Sequence, residues 1–446
     1  MQNRNKGITL VALIITIVVM LILVAVSVNV IIKSNLIGTA EKAVDKYKTA
    51  SEEEANGGTI EINDKEYASI EDYIESTKPL PNIEAGVRAE TNSNYKGATI
   101  PKGFTVSGIK SEQTIEGGLV IYDIPEGTTI DWTNPDNVKT AYNQFVWIPV
   151  EVTASDTETS IAAFRRSVWQ DNERVADNTQ SPTSFPKNTS AWSNYAEPNA
   201  TNDTADKTGI ANQIANLTKS IYKYGGFYIG RYEAGSKTPR TSSSGVTEIG
   251  IKQDMYPYIY VKWGDSMSSI GTTGAVYLSN SLYNTNEYGA TSMLCTGACW
   301  DSMLDFIKDS DHSVTDSTTW GNYKNSETFE ITRGSYAVYD TSNYTLGSFN
   351  NVGSKYSKMK DTSILLTTGA TERNCSKNIY DVAGNCWEWT TESESSSVRV
   401  FRGRPLRRRW FWHSSERSLL PSDGQLRLRF FPFCTLCITV GLQAIK

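Results

Sequence analysis

The stretch N-I-Y-D-V-A-G-N-C-W-E-W-T-T-E, from Asn378 to Glu392, brings a carboxylate, a glycine turn and two tryptophans within a few positions. In a strand, Trp387 and Trp389 would lie on one face and Glu388 on the other, because successive side chains alternate. The glycine-asparagine pair before them is typical of a turn. Two interpretations stay open. Either the tryptophans anchor a hydrophobic core, or the carboxylate and turn oxygens hold a hard cation such as calcium.

Other motifs surround this stretch. R-V-F-R-G follows it from Arg399 to Gly403, and the preceding motifs are Q-F-V-W-I-P-V (144–150), G-F-Y-I-G-R-Y-E (226–233), a tryptophan-led segment (300–307) and W-G-N (320–322). In this order they resemble the formylglycine-generating enzyme, or sulfatase-modifying factor, family over roughly residues 140–403. The resemblance implies an α+β fold, a loop-rich C-type-lectin-like domain.

The same resemblance implies a structural calcium site in the opening motif. Its side-chain ligands would be Asp381 and Glu388, and Gly384 and Cys386 would contribute backbone carbonyls. The resemblance also marks four residues of the structural motif, which are Trp387, Trp389, Arg402 and Gly403. Binding or catalytic work would then fall to the segment after the motif.

The amino terminus carries an uncharged run of 25 residues from Ile8 to Ile32, between a short basic leader and Lys33. A helix rises about 1.5 Å per residue, so this run exceeds the roughly 30 Å core of a bilayer. Charges of alternating sign at helical spacing then predict a stalk continuing to about Glu54. The sequence therefore predicts a membrane-anchored protein whose main domain is extracellular, at the cell surface.

Gly7 stands before the apolar run, whereas a general secretory signal has its small-residue cleavage site after it. This order resembles the type IV prepilin leader and implies that prepilin peptidase cuts between Gly7 and Ile8, whose new amino terminus is methylated. Other pilin-like subunits would then be partners. The family usually has a glutamate five residues into the mature chain, where this chain has Ala12. The departure favours a pseudopilin, a tip subunit or a simple membrane-anchored protein, and an ordinary anchor remains the alternative.

Four segments are predicted: a leader at 1–7, a membrane and stalk helix at 8–54, a small α/β segment with a linker at 55–95, and the lectin-like domain at 96–446. The linker is the polar run 90–96. Within the domain the patterns predict strands at 104–109, 118–122 and 145–150, and a helix at 293–308. The run 177–206, rich in Asn, Ser, Thr and Pro, predicts a surface loop, either part of a binding face or an inert insertion.

Composition excludes several classes of function. The net charge of −6 gives no support to nucleic-acid binding. With only His312 and His413, and no four-ligand zinc pattern, a histidine metal site is not expected. Six cysteines in this length do not make a disulfide scaffold. Two pairs, Cys295 with Cys299 and Cys375 with Cys386, are candidates for disulfides in an oxidising exterior, and the connectivity stays open.

Catalysis of the resembled type requires a copper-binding cysteine pair shortly after the R-G of the second motif, since thiolates bind Cu(I). After Gly403 this chain has no cysteine before Cys434 and Cys437, which are too distant. We therefore expect neither copper nor enzymatic activity. No serine-histidine-aspartate arrangement, phosphate-binding glycine loop or nicotinamide fingerprint points to another chemistry.

The tail changes its basic-residue usage. Residues 1–400 contain ten arginines among many lysines, whereas 401–446 contain eight arginines and one lysine. Codons read one base later would replace Trp410-Phe411-Trp412 with a glycine-rich run and allow Phe-Arg-Ser-Ala-Leu-Tyr over 431–437. The hypothesis is that the tail, from about Arg404, is out of frame and no longer encodes the closing strand. A basic-aromatic patch for anionic polymers or membranes is the alternative.

The expected function is a non-catalytic, surface-displayed adhesin whose lectin-like domain binds a glycan or protein ligand. One alternative is an exported oxidase of the formylglycine-generating type. Another is a variable product of a diversity-generating retroelement, which substitutes bases without moving the frame. The sequence does not identify the ligand, because lectin-like loops vary freely on one scaffold.

Overall fold

The structure is a computed structural model that describes residues 60–62, 65–67, 83–167, 169–174, 209–264, 270–283, 288–340, 345–395, 398–403, 417–421, 434–436 and 438–442. The chain divides between Pro79 and Leu80 into two compact units. In the first unit, Ile60–Ile62 (β1) and Lys65–Tyr67 (β2) pair antiparallel. The leader site at Gly7 and Ile8, the predicted helix 8–54 and the predicted loop 177–206 lie outside the described residues.

Among the described residues, four α-helices and the remaining strands belong to the second unit. The helices are α1 (Pro135–Ala141), α2 (Ile210–Tyr224), α3 (Ala275–Leu282) and α4 (Gly297–Ile307). The strands up to the third helix are β3 (Ser93–Tyr95), β4 (Ala98–Ile100), β5 (Thr105–Val106), β6 (Val120–Tyr122), β7 (Gln144–Pro149), β8 (Trp169–Gln170), β9 (Glu173–Arg174), β10 (Gly226–Gly230), β11 (Gly235–Ser236) and β12 (Tyr256–Pro257). Those after it are β13 (Ala290–Leu294), β14 (Phe329–Ile331), β15 (Ser335–Asp340), β16 (Thr345–Asn351), β17 (Tyr356–Lys358), β18 (Ile364–Leu366), β19 (Cys375–Ser376), β20 (Ile379–Tyr380), β21 (Trp387–Ser395), β22 (Val398–Arg402), β23 (Arg417–Pro421), β24 (Cys434–Leu436) and β25 (Ile438–Leu442).

A six-stranded antiparallel sheet, in the order β13-β25-β10-β7-β6-β5, forms the centre of the second unit. Alternate residues of β7 enter opposite cores: Phe145 and Trp147 pack on one side, and Val146 and Ile148 on the other. Because both faces of this strand are covered, its sequence is a continuous apolar run rather than an alternating one.

Helices supply much of that cover. Leu217 and Ile221 of α2, with Trp300 and Leu304 of α4, belong to the core that contains Val146. Ala275, Val276 and Leu278 of α3 belong to the other core. Mixed helices and largely antiparallel sheets agree with the α+β class that the sequence predicts.

The opening motif forms a strand, as its alternation predicts. Strand β21 begins at Trp387 and lies in a four-stranded sheet of order β23-β22-β21-β24. Trp387 and Trp389 enter the same core with Phe401 of β22, and the centroids of the Trp387 and Phe401 rings lie 4.5 Å apart. The interpretation of the two tryptophans as core anchors is therefore confirmed.

Residues 93–96 of the predicted polar linker at 90–96 form part of a hairpin. Ser93–Tyr95 pairs with Ala98–Ile100 across a turn in which Lys96 and Gly97 both have positive φ, 49° and 102°. The Asn94 side chain accepts a hydrogen bond from Gly97 N at 2.7 Å, which fixes the turn. Tyr95 and Ile100 are buried. The polar residues of the turn interrupt the pattern, so the sequence did not indicate these two strands. The predicted segment boundary at 95/96 falls inside this hairpin, and the chain divides into its two compact units at 79/80.

The predicted helix at 293–308 is shorter and follows a strand. Met293 and Leu294 end β13, and α4 begins at Gly297 after the N-cap Thr296. Thr296 Oγ1 accepts a hydrogen bond from Cys299 N at 3.0 Å, as expected of a capping threonine. Trp300, Leu304 and Ile307 of this helix are buried.

A strand from the tail lies within the central sheet. In β25, Val440 stands opposite Tyr228 of β10 and Ser292 of β13. In the structure the present frame therefore supplies a strand to this sheet. The β-branched run Ile438, Thr439 and Val440 suits a strand. The frame hypothesis concerns the coding DNA and stays a prediction.

Candidate cation site

The turn before Trp387 is built from left-handed backbone positions. The φ angles are 62° at Asp381, 84° at Gly384 and 57° at Asn385. A Cβ atom on Gly384 would lie 2.4 Å from Asn322 O, so the close approach of the two chains requires glycine. Asn322 O accepts a hydrogen bond from Asn385 N at 3.0 Å. The W-G-N motif therefore packs directly on the opening motif.

Asp381 is buried in this turn with 1% of its surface exposed. Its Oδ2 accepts a hydrogen bond from Gly369 N at 2.8 Å, and its Oδ1 accepts one from Asn374 Nδ2 at 3.3 Å. Each oxygen keeps a further lone pair. The carboxylate thus fixes two neighbouring segments and retains acceptor capacity.

Glu233 reaches the same turn from the G-F-Y-I-G-R-Y-E motif. Its Oε2 accepts a hydrogen bond from Asn385 Nδ2 at 2.8 Å, and its Oε1 accepts one from Cys386 N at 3.2 Å. The sequence shows Glu233 only as a motif member, because its partners are about 150 positions away. Glu233, Asp381 and Glu388 form what we call the acidic cluster.

Oxygen atoms also face a small space beside Gly403. A Cβ atom on Gly403 would lie 3.5 Å from Cys386 O, 3.7 Å from Val382 O and 3.8 Å from Glu388 Oε2. The φ angle of 74° at Gly403 favours glycine there. Two of the ligands implied by the resemblance, the Glu388 carboxylate and the Cys386 carbonyl, therefore come together. Val382 O is a further oxygen that the sequence did not suggest.

Burial raises the pKa of every carboxyl in the acidic cluster. It raises the pKa of Glu233 well above the usual value, and the charges of Asp381 and Glu388 add to this. Burial, followed by repulsion from Asp381, likewise raises the pKa of Glu388. Burial raises the pKa of Asp381 to about 6, although two hydrogen bonds favour its charged form. A bound cation would offset the cost of these neighbouring charges.

The donor chemistry fits calcium, which binds carboxylate and carbonyl oxygens. Glu388 is 5% exposed, and its carboxylate has no hydrogen-bond or ion-pair partner among the described residues. In that part of the chain no group of three or more His, Cys, Asp or Glu residues has the arrangement of a metal site. A cation beside Glu388 would thus depend on the Cys386 and Val382 carbonyls and on water. Asp381 is held by Gly369 and Asn374.

Two other buried ionic groups tie the motifs together. Arg402 lies between two carboxylates, with Nη1 at 2.8 Å from Asp301 Oδ1 and Nε at 2.7 Å from Glu392 Oε2. Burial alone would lower the pKa of Arg402, but Asp301 and Glu392 raise it above its usual value. A Cβ atom on Gly297 would lie 2.4 Å from Glu392 Cδ, so the start of α4 packs tightly on this group.

Arg231 forms the second group. Its Nη1 lies 2.8 Å from Glu112 Oε1 and donates to Gln144 Oε1 at 3.2 Å. Its Nη2 donates to Asn378 Oδ1 at 3.3 Å. Gln144 begins one motif and Asn378 another, so each motif supplies a buried polar contact to a neighbouring one.

The cysteines in the described segments are thiols rather than disulfides. They are Cys295, Cys299, Cys375 and Cys386. Burial raises the pKa of the Cys375 thiol to about 11. The side chains of Cys434 and Cys437 lie outside the description, as does the predicted anchor helix. In the described ranges we find no helix with the length and apolarity needed to cross a bilayer.

No protein-family model, curated protein or solved structure matches this chain. The likeness of its motifs to a known family therefore stays a proposal.

Proposed function

We propose that this chain is a membrane-anchored, non-catalytic surface protein whose lectin-like domain binds a ligand through its loops. The observation that carries the proposal is the use of the motif residues. Glu233, Asp301 and Arg402 are all buried, and each bonds to another part of the same domain. Residues used in this way hold a scaffold together, so ligand contacts fall to exposed loops. The apolar run Ile8–Ile32 supplies the anchor.

Calcium is the structural ion of this proposal. Glu388, with the carbonyls of Cys386 and Val382, would hold it, and its charge would offset the repulsion within the acidic cluster. We expect a calcium chelator to lower the thermal unfolding midpoint of the full chain in detergent. Glu388→Gln should remove this sensitivity, whereas Glu126→Gln, at an exposed position, should leave it intact. Equal midpoints with and without chelator in the parent chain would contradict the calcium site.

The anchor is tested at the amino terminus. Co-expression with a prepilin peptidase should yield a mature chain that begins with methylated Ile8 and lies on the cell surface. Gly7→Val should block the cut, while Gly38→Val, past the apolar run, should not. With Ala12 in place of the usual glutamate, we propose a minor or tip subunit rather than a fibre subunit. If the surface protein retains its first seven residues, the membrane anchor is supported and the prepilin assignment is contradicted.

Ligand binding is tested with the purified full chain on arrays of glycans and surface proteins. We expect saturable binding that the chain keeps after copper removal. Copper content together with oxygen consumption on a thiol-containing peptide would instead support the oxidase. Absence of both binding and turnover would favour a structural pseudopilin.

A further inference from the structure

Two buried thiols meet where β13 passes into α4. Cys295 follows the last strand residue, Cys299 is the third residue of the helix, and both side chains are 0% exposed. Thr296 O accepts a hydrogen bond from Cys295 Sγ at 3.3 Å, and Thr296 Oγ1 accepts one from Cys299 N at 3.0 Å. The cap residue thus contacts both cysteines, which share one core.

The Cys295 thiol also lies close enough to Cys299 to raise the pKa of the Cys299 thiol. A disulfide needs Cα atoms about 4 to 7 Å apart, and two thiols at the two ends of one capped turn, in one core, suit that requirement. We propose that Cys295 and Cys299 form a redox pair that closes to a disulfide in the exported chain. The export of the chain rests on the function proposed above; the pairing rests on the geometry at Thr296.

The bond would form by thiol-disulfide exchange with the disulfide of an exported oxidant, either a small disulfide or a protein dithiol oxidase. One cysteine thiolate attacks the oxidant and displaces one thiol, and the second cysteine then attacks the mixed disulfide and displaces the other. The chain loses two electrons and two protons. The oxidant is reduced to two thiols.

The timing follows from burial. Burial raises the pKa of the Cys299 thiol well above its usual value, and its interaction with Cys295 raises it further. Since the thiolate is the nucleophile, exchange in the folded domain is slow. The disulfide therefore forms before α4 packs, and afterwards burial protects it from reductants.

The bond would strengthen the support of Arg402. Cys295 O accepts a hydrogen bond from Thr391 N at 3.0 Å, which ties this junction to β21. Asp301, two residues after Cys299, carries the ion pair with Arg402. A covalent link between Cys295 and Cys299 would reduce the conformational freedom of the helix start, chiefly in the unfolded chain.

The test uses the full chain, recovered from the cell surface, trapped in acid and alkylated in denaturant with and without prior reduction. Trypsin releases residues 263–308 as one peptide in which Cys295 and Cys299 are the only cysteines. We expect this peptide to be unalkylated and lighter by two hydrogens before reduction, and doubly alkylated after it. Cys375, on a separate peptide, serves as the internal control for alkylation. Two labels on 263–308 without reduction would overturn the proposal.

Stability gives a readout that needs no substitution. Reduction should lower the thermal unfolding midpoint of the surface-derived chain by roughly 3 °C. The double variant Cys295→Ala, Cys299→Ala should show no such change, whereas Cys375→Ala should respond as the parent does. An unchanged parent midpoint would also overturn the pairing.

Failure of export is recognised separately. If the chain stays in the cytoplasmic fraction, the purified chain is refolded in detergent with reduced and oxidised glutathione. Closure of the 263–308 peptide there would uphold the redox pair and count against the anchor alone. Refolded chain with both thiols open would count against the pair itself.

Discussion

At the scale of single residues, Gly384 of the opening motif lies too close to the Asn322 backbone to leave room for a side chain. A Cβ atom there would meet Asn322 O, C and N at 2.4, 2.6 and 2.7 Å, at a φ of +84°. Gly353 has a φ of +67° and open space around it. We expect Gly353→Ala to cost about 1 kcal/mol, for backbone strain alone, and Gly384→Ala to cost about 3 kcal/mol or more, because the Asn322 backbone must move. Denaturant unfolding of both variants measures the difference, and equal losses would show that Asn322 yields easily.

Lys358 gives a residue-scale prediction on pH. Its ammonium is buried and donates to Tyr323 O, Lys324 O and Ser326 O at 2.8 to 3.2 Å. Burial, with repulsion from Arg373, lowers the pKa of Lys358 to about 8 from its usual 10.5. Between these values the unfolded chain holds a proton that the folded chain has released. The free energy of unfolding therefore rises with pH in this range, by at most about 1.4 kcal/mol per pH unit.

Lys358→Met isolates that effect. The free energy of unfolding of the parent minus that of the variant should grow from pH 8 to pH 10 and stay level below pH 8. Lys360→Met removes an exposed ammonium two residues away and should give no comparable slope. A level difference for Lys358→Met across the whole range would mean that the folded chain keeps Lys358 protonated.

At the scale of elements, a buried ion pair joins α4 to β22. Asp301→Asn leaves Arg402 with one carboxylate in the interior, so we expect a loss of about 3 to 5 kcal/mol in the free energy of unfolding. Glu248→Gln breaks a pair in which Lys237 and Glu248 are 68% and 65% exposed, and should cost less than about 1 kcal/mol. Chemical unfolding compares them. A loss below 1 kcal/mol for Asp301→Asn would show that Glu392 alone balances Arg402.

Local patterns predict local elements, and this explains what the sequence revealed. The spacing of Trp387 and Trp389 predicted a strand with both rings on one face, because alternation is a property of the strand itself. Met293 and Leu294 fit a helix as well as a strand, and only the cap at Thr296 separates the two. The partnership of Asp301 with Arg402 spans 101 positions, and no local pattern encodes such a distance.

The site shows the same division. Glu388 and Cys386 were implied by a motif, and the turn brings them near Gly403. Glu233 lies just after β10, an inner strand of the central sheet. The position of this strand brings Glu233 into contact with the turn. A contact between residues so far apart in the sequence follows from the topology of the fold rather than from residue types.

At the scale of the whole molecule, the central sheet depends on a strand from the tail. Within the described sheet β25 is the neighbour of both β13 and β10. Deleting residues 438–446 should therefore abolish cooperative unfolding of the second unit, because β13 loses its strand partner. Deleting only residues 443–446, beyond the strand, is the matched control and should change the midpoint little. Calorimetry decides between these outcomes, and a cooperative transition in the longer deletion would show that the sheet closes without β25.

The tail also carries the prediction about reading frame. Residues 401–446 contain eight arginines and one lysine, whereas the first 400 residues contain ten arginines. This change in residue usage indicates a change of reading frame rather than a structural requirement. We expect the coding DNA, read one base later from about Arg404, to run without an early stop through a glycine- and serine-rich loop to a Phe-Arg strand. A chain rebuilt with that tail should unfold at a higher temperature than the present one, since its closing segment and its core would have been selected together. Early stop codons in the shifted frame would contradict the frame hypothesis, as would a rebuilt chain that is less stable than the present one. Either result would favour a basic-aromatic patch that binds anionic polymers or membranes.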